Sequence, residues 1–172
     1  MRKKLSDESG LTLVETLIAL MILLVGLLSL AQVLTFTLAV SKTSGRDSSK
    51  ATAAAHDKME ELTDLRFDDT TTNLTVNAPY TSDGVGLTAG GSIPPASPVA
   101  GYVDYLDTDG ARTTSGNSAY TRQWQIIDDA TVTDLKRIVV TVTSNKSFEV
   151  GTPPSTTIVT EKTPTTVIEM AP

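Results

Sequence analysis

Apolar positions are spread unevenly along the chain. From Leu17 to Leu28 the sequence reads LIALMILLVGLL, with no polar side chain. No charged residue occurs between Glu15 and Lys42, a gap of 26 positions broken by Thr16, Ser29, Gln32, Thr35 and Thr37 and ending at Ser41. A bilayer core needs about 20 mainly apolar residues in helical form. The segment 11–40 is therefore predicted to be a membrane-spanning helix. A buried core helix is the alternative, but the rest of the chain is too polar to wrap such a segment on every side.

The pattern then changes period. Residues 46–66 read RDSSKATAAAHDKMEELTDLR, rich in Ala and in charged helix formers. Ala51, Ala55, Met59, Leu62 and Leu65 recur at steps of four, four, three and three. That spacing predicts one apolar stripe on an amphipathic helix over 41–66, with Lys58 and Arg66 on its solvent side. Gly45 marks the point where the helix is expected to bend or loosen.

Residues 67–118 are rich in Thr, Gly, Ser, Pro and Asp, including GVGLTAGGSIPPASP at 84–98. This region is predicted to be a variable surface loop carrying one or two short strands. Clearer strands follow within 119–172. In YTRQWQII (120–127), Tyr120, Trp124 and Ile126 share one face, with Thr121, Gln123 and Gln125 on the other. Over 135–143, Ile138, Val140 and Val142 share a face. Segments 156–162 and 165–170 are further strand candidates, separated at Pro164. Consecutive strands with short connections favour an antiparallel sheet, and the helical stripe can cover its apolar face. The predicted fold class is α+β.

Charge and composition narrow the function classes. Twenty acidic residues against 14 basic ones give a net charge of −6. Within 67–172 there are six basic and twelve acidic side chains, which argues against a nucleic-acid binder that must neutralise phosphates. Without cysteine there is no disulfide framework and no thiolate site. The single histidine, His56, lies between Ala55 and Asp57 with no companion ligands, so it is predicted to face solvent rather than to serve a metal or a triad. No phosphate-cradling glycine loop precedes a helix. Asp104, Asp107, Asp109 and Gly110 supply the clustered oxygens that a calcium loop would need. Their spacing is not that of an EF-hand, and Asp-Gly also marks a turn between strands. Trp124 on an alternating strand is read as a core aromatic. No catalytic residue and no cofactor is expected.

Arg2, Lys3 and Lys4 precede the apolar segment, as a cytoplasmic flank does. A cleaved secretory signal begins similarly, but its apolar core is only about 7–15 residues and ends at a small-residue site. Here the apolar run is longer, and the small residue, Gly10, stands before it. Residues 7–17 read DESGLTLVETL, with Glu15 placed just inside the apolar helix. A carboxylate at the start of a spanning helix has two readings: a solvated first-turn acid, or an intramembrane group with a partner.

Gly10, Leu11, Thr12, Leu13, Val14 and Glu15, behind a short basic leader, resemble the type IV prepilin signal. The resemblance implies that residues 1–10 are a leader and that prepilin peptidase cuts between Gly10 and Leu11. It implies methylation of the new amine on Leu11. It also implies pairing of Glu15 with the terminal amine of a neighbouring subunit during filament assembly, since two opposite charges in an apolar core are tolerable only together. Gln32 stands where major pilins commonly carry a helix-bending proline, which favours a minor pilin or a pseudopilin. The segment Asp104–Gly110, then Tyr-Thr-Arg-x-Trp-x-Ile at 120–126 and Leu-Lys-Arg-Ile-x-Val-x-Val at 135–142, looks like the heads of PilV-type minor pilins. Those heads share a fold class with the I-type pseudopilins of type II secretion.

The resemblance thus implies a pilin fold, a long N-terminal helix packed on a C-terminal antiparallel sheet, in a subunit that is not an enzyme. Its implied partners are the prepilin peptidase, other pilins or pseudopilins, and an inner-membrane assembly platform. Its implied location is the bacterial inner membrane, single-pass with an extracytoplasmic head, and then the filament. The alternatives are a type II secretion pseudopilin or a single-pass anchored binding protein.

Overall fold

A computed structural model describes residues 12–75, 84–146 and 153–164. The expected leader, with Gly10 and Leu11, and the strand expected over 165–170 lie outside the described residues. In chain order the elements are α1 (Leu13–Asp64), β1 (Gly90–Gly91), β2 (Val103–Leu106), β3 (Arg112–Thr113), a 3-10 turn (Ser115–Asn117), β4 (Tyr120–Asp128), β5 (Lys136–Ser144) and β6 (Ser155–Lys162). Contacts divide the chain into two units, Met1–Thr43 and Ser44–Pro172, with the boundary inside α1. The second unit is called the head below.

In the first unit, Leu13–Ala39 is helical with a mean hydropathy of 2.7, long and apolar enough to cross a membrane. Its apolar side chains are exposed, from Leu13 and Val14 through Phe36 and Leu38. The hydroxyls that interrupt it are satisfied within the helix. Ser29 donates to the Val25 carbonyl at 2.9 Å, Thr35 to Ala31 at 2.9 Å and Thr37 to Val33 at 2.8 Å. Such back-bonding hides polar hydrogens that would otherwise be costly in lipid.

The head is α+β. Its sheet has the order β3-β2-β4-β5-β6, all pairs antiparallel, and β1 pairs with β4 beyond the end of β2. Gly91 makes the β1–β4 pairing possible. Its φ is +84°, and a Cβ there would lie 2.2 Å from the Trp124 carbonyl oxygen. The helical stripe forms a core with the inward face of the sheet. Ala51, Ala55, Met59 and Leu62 cluster with Tyr120, Trp124, Ile126, Ile138, Val140 and Val142, and Leu65 packs at the margin. The two alanines remove bulk where the helix meets the strands, so Trp124 fills the space and is fully buried.

α1 continues through Gly45 to Asp64, as one glycine costs only about 1 kcal/mol in a helix interior. Two expectations need correction. The region 67–118 carries three short strands, β1, β2 and β3, where one or two were expected, and the sheet begins well before residue 119. All four residues of β2 are buried, so it lacks the alternation that marks a half-exposed strand. Lys58 does not face solvent; it is fully buried against the sheet.

Candidate functional site

The first candidate is the start of α1. Thr12 precedes the helix, and its Oγ1 accepts the Glu15 backbone N–H at 3.3 Å, while the Thr16 N–H bonds the Thr12 carbonyl at 3.1 Å. Thr12 is thus an N-cap that satisfies one of the orphan donors of the first turn. This places Glu15 at the positive end of the helix dipole, where a carboxylate is favoured. The bond uses the Glu15 backbone and not its carboxylate. The sequence reading singled out Glu15 and passed over Thr12, although T-x-x-E is a capping signature.

The second candidate is a buried cluster of charges between α1 and the sheet. Asp104 on β2 and Arg122 on β4 are register partners. The Arg122 guanidinium grips Asp104 with two bonds, Nε to Oδ1 at 2.8 Å and Nη2 to Oδ2 at 2.7 Å. Its remaining arm donates to the Ala54 carbonyl of α1 at 2.9 Å. Lys58 Nζ lies 3.3 Å from Asp104 Oδ2 and donates to Glu61 at 2.9 Å and to the Leu74 carbonyl at 3.0 Å. It also sits 4.2 Å above the Trp124 ring, a cation–π contact worth about 2 kcal/mol when desolvated. Arg112 on β3 closes the network through Glu61 and lies 3.7 Å from Asp104.

These contacts set the proton affinities. Burial pushes Asp104 up, but the Arg122 hydrogen bonds and the charges of Lys58, Arg122 and Arg112 more than offset it, leaving the carboxyl below its usual range. Burial draws the Lys58 amine down, and the attraction of Asp104 and Glu61 only partly restores it. A network with every arm engaged fixes which helix face meets which strand residue.

Both Asp104 oxygens thus face cationic side chains of the chain itself. Asp107 uses one oxygen in a turn, its Oδ1 accepting the N–H groups of Asp109 and Ala111 at 2.8 and 3.0 Å. Asp109 is exposed on that turn. No group of three or more metal-ligating side chains converges among the described residues. His56 is exposed.

A smaller polar contact holds the first turns of the head. Asp47 Oδ1 accepts the Tyr120 hydroxyl at 2.9 Å and Lys146 Nζ at 2.6 Å. Burial first, and then the bond to Asp47, push the tyrosine up to about 12. Burial also raises Asp47, but Lys146 and Tyr120 outweigh it, so the carboxyl is held below 3.8. The stabilisation from Asp47 is thus present above that ordinary value and fades as pH falls through the lower folded one. Tyr120→Phe is expected to cost about 1–2 kcal/mol and to move the acid unfolding midpoint upward. Denaturant titration of the full chain in uncharged detergent, at pH 7 and across the acid range, would check both.

No family model, curated protein or solved structure matches the chain.

Proposed function

We propose that the chain is a pilin-like filament subunit, specifically a minor pilin. On this reading it is inserted in the inner membrane, trimmed by prepilin peptidase and assembled through its N-terminal helix. The observation that carries the reading is α1 itself. One helix bears a membrane-length apolar half with an acid in its first turn, and a second half whose stripe packs on an antiparallel sheet. An ordinary membrane anchor has no need of either the first-turn acid or a helix continued into the head.

Small residues on the apolar half support assembly by helix packing. Ala31, Thr35 and Ala39 lie at steps of four along a shallow groove with Leu28, Gln32 and Phe36. Such positions let a second helix approach closely. The protein then acts by assembly, with its chemistry limited to being a peptidase substrate. In cells, the chain is expected in sheared filament fractions, and it should be lost from them when the assembly ATPase is deleted. Retention wholly in the membrane fraction of assembling cells would contradict the proposal.

A further inference from the structure

The sheet of the head ends in an open edge. β6 is the last strand of the order, and its outer side pairs with no strand among the described residues. Its inner face is held at both ends by α1. The Thr156 and Thr52 hydroxyls bond at 3.2 Å, and Lys162 Nζ donates to the Thr63 carbonyl. Between these contacts Ile158 is half-buried, packing only at the margin of the core.

The backbone of β6 divides by position. The Ser144 N–H bonds the Pro154 carbonyl at 3.0 Å, one step beyond the Thr143–Ser155 pair in the β5–β6 register. Hydrogen-bonded and non-hydrogen-bonded positions alternate along an antiparallel pair. Thr156, Ile158, Thr160 and Lys162 therefore bond β5, while the N–H and carbonyl groups of Ser155, Thr157, Val159 and Glu161 point to the open side. Residues 156–160 carry no charge, proline or bulge, the devices that blunt a natural edge, and Val159 is 56% exposed.

We propose that this edge receives β6 of a second copy of the chain, antiparallel about a two-fold axis at Ile158. In this register alone the four outward residues pair entirely among themselves, Ser155 with Glu161 and Thr157 with Val159 in both directions. Each copy then donates four backbone bonds and accepts four. On the inner side Ile158 meets Ile158 of the second copy as a non-hydrogen-bonded pair, and Thr156 meets Thr160. Glu161 faces Ser155 and Lys162 faces Pro154, so no like charges are opposed. An axis at Thr157 would set Glu161 against Pro153, which has no N–H, and an axis at Glu161 would oppose two acids. Residues 165–172 are a poorer occupant. A tight return would centre a two-residue turn on Thr163 and Pro164, and the favoured hairpin turns need a positive φ at the first of these, where Thr is β-branched. Every residue of the edge belongs to the head, so the proposal stands whether or not the filament reading holds.

The chain has no cysteine, so single cysteines report the register. Cα atoms of a non-hydrogen-bonded pair lie about 4.5 Å apart, within reach of a disulfide. Ile158→Cys in the full chain, in uncharged detergent with a mild oxidant, is expected to give a disulfide-linked dimer. Thr160→Cys should link at least tenfold more slowly, because its two copies are offset by four residues, about 13 Å. Val159→Pro removes an outward N–H and no bond to β5. Added to Ile158→Cys, it should abolish the link while the head keeps its denaturant midpoint. No dimer from Ile158→Cys, equal rates at the two cysteine positions, or a link unaffected by Val159→Pro would each overturn the proposal. Linking only after removal of residues 165–172 would assign the edge to those residues and overturn it as well. The comparison of the two cysteine positions decides the matter even where the proline variant fails to fold.

Discussion

Asp104→Ala is expected to destabilise the head by about 3–5 kcal/mol, the cost of leaving buried charge without its partner. The substitution removes a carboxylate that faces Arg122, Lys58 and Arg112 together. Arg122 and Lys58 are both buried and would keep their charges with carbonyl groups, Glu61 and the Trp124 ring as their remaining partners. A domain of ordinary stability holds about 5–15 kcal/mol in total, so the loss would be a large share of it. Replacing Lys58, Asp104 and Arg122 together by apolar residues of similar volume should cost much less, because desolvation and pairing are then removed at once. Acid should act in the same direction as the single substitution. Asp104 is held below 3.8, so its contribution is present above that value and is lost as pH falls through the lower folded one. Denaturant unfolding of the full chain in uncharged detergent measures each of these. A loss below about 1 kcal/mol for Asp104→Ala, the range of surface pairs, would contradict a desolvated network.

The second large effect is functional. Glu15→Ala is expected to leave peptidase processing largely intact while lowering incorporation into filaments at least tenfold. A terminal amine left unpaired in an apolar core costs several kcal/mol, and every 1.4 kcal/mol is a factor of ten. The structure separates this role from a merely local one. Thr12 caps the helix through the Glu15 backbone N–H, which the alanine variant keeps. Thr12→Ala instead removes the cap and keeps the carboxylate, a change of about 0.5–2 kcal/mol in helix stability. Charge pairing therefore predicts a severe assembly defect for Glu15→Ala and a mild one for Thr12→Ala. Quantitative immunoblots of sheared filaments against total mature protein read the difference. Wild-type incorporation of Glu15→Ala would remove the pairing role.

What could be read from the sequence was whatever obeys a short period. The apolar run from Leu17 to Leu28, the stripe of Ala51, Ala55, Met59 and Leu62, and the inward faces of β4 and β5 all follow from local spacing. The charge cluster does not, because its members are joined only by the tertiary fold. Lys58, Asp104 and Arg122 sit on three elements far apart in sequence. A lysine beside the stripe looks like an ordinary solvent residue until an arginine-clamped carboxylate is brought beneath it. Arg122 shares the alternating face of Tyr120, Trp124 and Ile126. A cation on that inward face was the available signal, and it required a buried acid elsewhere. β2 was obscured for a different reason: it is covered on both faces and set among turn residues, so nothing alternates. β1 is only a pair of glycines, whose composition signals a loop while its conformation permits a close strand pairing.

The filament reading depends most directly on the mature N-terminus. Mass spectrometry of the protein recovered from its native membrane or filaments should find a chain beginning at Leu11, lacking the ten leader residues and carrying one added methyl group on its terminal amine. An intact Met1 start, or cleavage at any bond other than Gly10–Leu11, would contradict the pilin-like assignment.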